Sequence, residues 1–119
     1  MEFDRSKPCH YCGMLASGVD HIPPISVRIA LAESGIEGQW PIKDVPCCVE
    51  CNSAIGASAP FSLGDRRKIV KAFLRRKYRQ CLKTPHWEEA EIACLGYGLQ
   101  LLVRKNLAMR DTIRMRLAY

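Results

Sequence analysis

At 119 residues and 13.4 kDa the chain is long enough for one modest domain with a core, and small enough that a bound metal would help hold it. It has no apolar run of about 18 or more residues, and no charged start followed by a short apolar stretch and a small-residue cleavage site, which predicts a soluble cytoplasmic protein without a membrane partner. Seven cysteines, an odd number, argue against a framework built from disulfides alone.

The net charge of +6 is unevenly spread. Residues 1–63 carry 4 Lys/Arg against 7 Asp/Glu, and residues 64–119 carry 14 against 5, so the two parts stand at −3 and +9. A basic second part beside an acidic first part fits a polyanion-binding surface. A solvated helix face is the ordinary alternative.

Along the chain, residues 1–8 read as a lead-in to Cys9-His10-Tyr11-Cys12, a tight turn in which Gly13 tolerates a left-handed backbone. Val19 to Ile22 reads as extended, and Pro23-Pro24 stops any helix there. Ser26 is expected to cap a short helix through Glu33, ended at Gly35. Ile36 to Asp44 reads as loop, and Val45-Pro46 leads in extended form to Cys48-Val49-Glu50-Cys51-Asn52, where a helix starts near Cys48 or Cys51 and breaks between Gly56 and Pro60.

Ser62-Leu63-Gly64-Asp65 matches a capping box and opens a helix with Ile69, Val70, Phe73, Leu74, Tyr78, Cys81 and Leu82 on its apolar face. Arg66, Arg67, Lys68, Lys71, Arg75, Arg76 and Arg79 form the opposite face; together with Lys77 these are the expected nucleic-acid contacts. Thr84-Pro85 is expected to begin another helix, with Trp87, Ala90, Cys94, Leu95, Leu99, Leu102 and Val103 as its stripe. Gly96 and Gly98 within it imply either close packing or a local break. Cys81 and Cys94 read as small helix-core residues. Met109, Ile113 and Leu117 mark a last helix or a continuation.

Cys9, Cys12, Cys48 and Cys51 form two pairs at the spacing by which single turns present thiolates to one structural zinc. Cys47 and His10 are competing candidates, but only Cys9 and Cys48 stand at the required spacing from Cys12 and Cys51. Between the pairs lie Asp20 and His21, and Asn52 follows directly. Asp20 and Asn52 offer oxygens suited to Mg²⁺ or Mn²⁺, and an imidazole such as His21 can accept a proton from water. Individually these residues are more often a turn acceptor, a satisfied histidine and a helix cap; only the constellation carries a functional reading.

Cys-x-x-Cys, Asp-His-x-x-Pro and Cys-x-x-Cys-Asn in this order resemble the HNH endonucleases of the His-Me finger, or ββα-metal, superfamily, and the Cys51-Asn52 and Gly56 pattern is similar to that of junction-resolving phage endonucleases. The resemblance spans about residues 9–56. It implies a β-hairpin and helix gripping a catalytic divalent cation through Asp20 and Asn52, with His21 as the general base. Two features depart from the pattern: a long span between His21 and Cys48, consistent with an inserted helix, and no match for the usual third polar residue, since Ile55 and Gly56 stand there.

The expectation is therefore a mostly helical α+β fold: a zinc-clamped ββα-metal module over residues 1–60, followed by a basic helical extension over 61–119 that packs on it. The expected function is metal-dependent hydrolysis of nucleic-acid phosphodiesters, with DNA favoured. The alternative is a catalytically inactive, zinc-stabilised module for binding nucleic acid or protein, with the C-terminal helices open to a second copy or a larger partner.

Overall fold

The computed structural model describes residues 6–35, 42–56 and 62–119. The first five residues of the expected lead-in, most of the loop after Gly35 and the break after Gly56 lie outside them. Among the described residues the fold is α+β and mostly helical: β1 (Gly18–Ile22), α1 (Ile25–Glu33), β2 (Lys43–Cys47), α2 (Val49–Ile55), α3 (Leu63–Lys77), α4 (Arg79–Leu82), α5 (Glu89–Ala93) and α6 (Tyr97–Ala118). None of these helices is long and apolar enough to cross a membrane. The chain divides into two compact units, Met1–Val70 and Lys71–Tyr119, with the division inside α3.

In the first unit β1 and β2 pair antiparallel, with Asp20 opposite Val45 and His21 opposite Asp44. Alternation along β1 turns Asp20 and Ile22 inward, where both are buried, and leaves His21 half-buried. α1 stands between the two strands in the chain, as the long span predicted. Its cap is Pro24, not Ser26, because the Pro24 carbonyl already accepts from the Val27 and Arg28 amides. Gly35 follows it with φ 73°. Cys9, Tyr11, Cys12, Ala16, Ile22, Cys47, Cys48, Cys51, Ile55 and Val70 supply the buried apolar side chains of this unit. A core so rich in thiols and so poor in large aliphatics fits a domain that leans on a metal.

α3 opens as the capping pattern predicted, with the Asp65 amide on the Ser62 hydroxyl at 3.4 Å. The expected single helix to Leu82 is interrupted at Tyr78, whose backbone (φ −104°, ψ 24°) leaves the helical region. The Tyr78 ring takes the Lys77 ammonium at 5.3 Å and the Arg116 guanidinium at 5.9 Å.

The helix expected at Thr84-Pro85 begins instead after Glu88. The Thr84 carbonyl, which as a cap would accept the first helical amide, accepts from Arg110 at 3.2 Å. Glu88 and Glu91 make a reciprocal capping box four residues later. Ile92 is the buried residue of α5; Ala90, Cys94, Leu99 and Leu102 are exposed, so the expected stripe does not form a core and Cys94 is not a core cysteine. Gly96 is the cap of α6, and a Cβ added at Gly96 or Gly98 would meet nothing within 4 Å. The glycines therefore mark a break, not close packing. In α6 Ile113 is buried together with Arg110 and Arg116.

Candidate functional site

The first knuckle closes on itself. The Cys9 amide donates to Met14 O and the Gly13 amide to Cys9 O at 3.0 Å, with Gly13 at φ 77°. That turn brings Cys9 and Cys12 to one side. The second pair is presented by the start of α2, where Cys48 is the N-cap and its sulfur accepts from the Cys51 amide at 3.4 Å. The four sulfurs of Cys9, Cys12, Cys48 and Cys51 lie within 4.8 Å of one another, a group able to hold a metal ion such as zinc.

Hydrogen bonding with Cys12, then with Cys47 and Cys51, holds the Cys9 thiol well below its ordinary range, whereas bonding with Cys12 pushes Cys51 up. Such crowding favours one sulfur anion at the expense of its neighbours unless a cation neutralises all four. Cys47 is pushed up by its hydrogen bond to Cys9 and by burial, and its thiol donates to Cys48 O at 3.4 Å. The sulfurs that converge include that of Cys48 and not that of Cys47.

One turn beyond the cap of α2, Asn52 reaches a cavity of about 370 Å³ whose lining includes Val19, Asp20, His21, Asn52 and Arg66. The hairpin and α2 therefore bring together the three residues singled out in the sequence. Asp20 is 4% exposed. Its two oxygens each accept from Arg66 Nη1 at 2.8 Å, and Oδ2 also accepts from the Tyr11 hydroxyl. Burial and the bond to Asp20 push the Tyr11 phenol well up, so it remains a donor.

Arg66 is 1% exposed. The helical period placed it on the solvent face as a phosphate contact, yet the side chain turns inward. The compensating charge of Asp20 is what makes that burial tolerable. Arg67 donates to His10 O at 2.9 Å and is also partly withdrawn. Lys68, Arg75, Arg76, Lys77 and Arg79 are exposed and Lys71 is half-buried, with the Lys77 ammonium over the Phe73 ring as well at 5.7 Å.

His21 Nδ1 lies 3.0 Å from Asp44 Oδ1 across the hairpin. The same oxygen accepts from Arg28 Nη2 at 2.7 Å. The hydrogen bond from Arg28 holds the Asp44 carboxyl below the usual carboxylate range, with a smaller contribution from His21. Neither Asp44 nor Arg28 was singled out in the sequence. Their placement depends on strand register, for which the strand sequences give no local signal.

Protein-family models, curated proteins and solved structures yield no match to this chain.

Proposed function

We propose that the protein is an endonuclease of the HNH type that hydrolyses nucleic-acid phosphodiesters, DNA foremost, with His21 as its general base. The observation that carries this reading is the shared cavity: Asp20 and His21 from β1 and Asn52 from α2 line one opening beside the cysteine cluster. A proton acceptor, an amide and a buried ion pair around one cavity suit attack of water on a phosphorus centre.

In that reaction the ring nitrogen of His21 not engaged by Asp44 takes a proton from water. The oxygen of that water bonds to phosphorus, and the P–O bond opposite breaks; the departing oxygen takes up a proton from solvent, and His21 later releases its own to solvent. Asn52 can donate its amide N–H to a non-bridging oxygen and so help to bear charge that builds on the phosphate.

The resemblance also implies Mg²⁺ or Mn²⁺ on Asp20 and Asn52. The donor set tests that directly. Both Asp20 oxygens already accept from Arg66, one of them also from Tyr11, and a dication at Asp20 would face the guanidinium at close range. As arranged, these residues do not fit a divalent cation. The same pairing favours a second reading, a zinc-stabilised nucleic-acid-binding module without turnover.

Nicking of supercoiled plasmid by zinc-loaded protein, with and without added Mg²⁺ or Mn²⁺, separates the two readings. His21→Ala is expected to lower cleavage by about 10²- to 10⁴-fold, the contribution of a general base, with zinc content and fold retained. Asn52→Ala is expected to lower it as well. Cutting that survives His21→Ala unchanged would remove the proposed site. Salt-dependent binding with no cutting under any divalent cation would establish the binding module.

The exposed Arg75 and Arg76 are expected to contribute phosphate contacts. Replacing either with alanine should weaken binding to all sequences alike and reduce the slope of log K against log salt by about 1. Binding measured by fluorescence anisotropy across a salt series checks this, and an unchanged slope would place the interface elsewhere.

A further inference from the structure

We propose that Asp44, braced by Arg28, is the positioning residue that sets the tautomer and ring plane of His21 and leaves Nε2 as its basic nitrogen. This rests on the reading of His21 as the general base.

His21 and Asp44 are directly opposed in the antiparallel pair, where facing side chains stand about 4.5–5.5 Å apart at Cβ, so a short carboxylate reaches the ring without leaving its strand. Asp44 Oδ1 meets Nδ1 at 3.0 Å. An ionised carboxylate can only accept, so Nδ1 must carry the proton, and a neutral ring then keeps its lone pair on Nε2.

Arg28 fixes the carboxylate in turn. Its Nη2 donates to Asp44 Oδ1 at 2.7 Å and to Lys43 O at 3.1 Å, and its Nε donates to Pro23 O at 2.9 Å. It therefore ties the end of β1 to the start of β2 while holding the one oxygen that His21 uses. The helix that carries it, α1, buries none of its residues, and Ile25 and Ile29 are exposed. Arg28 is thus the clearest structural contribution of α1 to the hairpin. Its cation also balances the Asp44 charge, so Asp44 acts on His21 as an oriented acceptor more than as a free negative charge.

The test uses the zinc-loaded full chain labelled with ¹⁵N at histidine. Long-range ¹H–¹⁵N spectra of the neutral ring are expected to show Nδ1 protonated in the wild type. Asp44→Ala should give a mixture of tautomers and lower kcat at least about tenfold, with KM little changed. Asp44→Asn should keep the wild-type tautomer, because Arg28 selects the amide oxygen for the position facing the ring. Adding Arg28→Ala to Asp44→Asn frees the amide to turn its NH₂ toward Nδ1, and the other tautomer should dominate.

A wild-type tautomer with wild-type kcat in Asp44→Ala would overturn the proposal. Its failure is distinct from failure of the nuclease reading. If the wild type cuts nothing, the general-base role falls, while the ¹⁵N spectra still decide whether Asp44 sets the ring.

Discussion

Stripping metal from zinc-loaded protein with a strong chelator is expected to unfold the Met1–Val70 unit, read as loss of its tertiary signals and of α2 helicity. Three observations converge on this. Cys9, Cys12, Cys48 and Cys51 are all buried, as is Tyr11 between the first pair, and few large aliphatic side chains are available to replace them as a core. Structural zinc in small domains contributes about 10–16 kcal/mol of apparent binding free energy at neutral pH, comparable to or larger than the whole stability of an ordinary domain. Ligation also requires thiolates, so the stabilisation is present at neutral pH and declines as acid protonates the cysteines and releases the ion. Circular dichroism and one-dimensional proton spectra, recorded before and after chelation and after zinc is restored, check the expectation. Cys51→Ser should reproduce the loss, whereas Cys94→Ser, at an exposed position outside the cluster, should leave stability within about 0.5 kcal/mol of wild type. A metal-free chain that keeps its fold would show that the four sulfurs pack as thiols.

The second large effect is expected at Arg66. Arg66→Met keeps most of the side chain's volume but leaves Asp20 buried without its cation, and breaking one side of a buried ion pair costs about 3–5 kcal/mol. Urea unfolding of the zinc-loaded protein should register that loss. Asp20→Asn combined with Arg66→Met should cost clearly less than the two single changes summed, because the double variant buries no unpaired charge. Strict additivity would mean that the two groups act independently, against the 2.8 Å geometry. The free Arg66→Met protein carries a second readout. If the guanidinium is what keeps a divalent cation off Asp20, then Mn²⁺ binding followed by electron paramagnetic resonance should be stronger in the variant than in the wild type.

The part of the fold governed by local rules was legible in the chain. Gly13 and Gly35 sit where a left-handed backbone is needed, Cys48 begins a helix, and the Cys-x-x-Cys spacing places four sulfurs together. The span between His21 and Cys48 was long enough to contain a helix, and α1 is there. What escaped depends on partners distant in the sequence. Arg66 follows the polar period of α3, so nothing local marks it as the counter-ion of a residue 46 positions earlier. Asp44 gains its role from a register set by pairing. Thr84-Pro85 carries a sound helix-start signal, yet the helix begins after Glu88, where Glu88 and Glu91 form the capping box, and the Thr84 carbonyl accepts from Arg110. The stripe through Ala90, Cys94, Leu99 and Leu102 failed because Gly96 divides it between α5 and α6, so its members do not share one helical face.

Cys48 joins two functions that are usually separate, since one sulfur belongs to the cysteine cluster and also caps the first turn of α2. Asn52, whose backbone N–H donates to Cys48 O at 3.0 Å, hangs from that same turn. The orientation of the amide in the cavity is therefore set by the geometry around the cluster. Oxidation of the thiols, or binding of ions of different radius by the four sulfurs, would reach Asn52 through a single turn of backbone without altering any residue in the cavity wall.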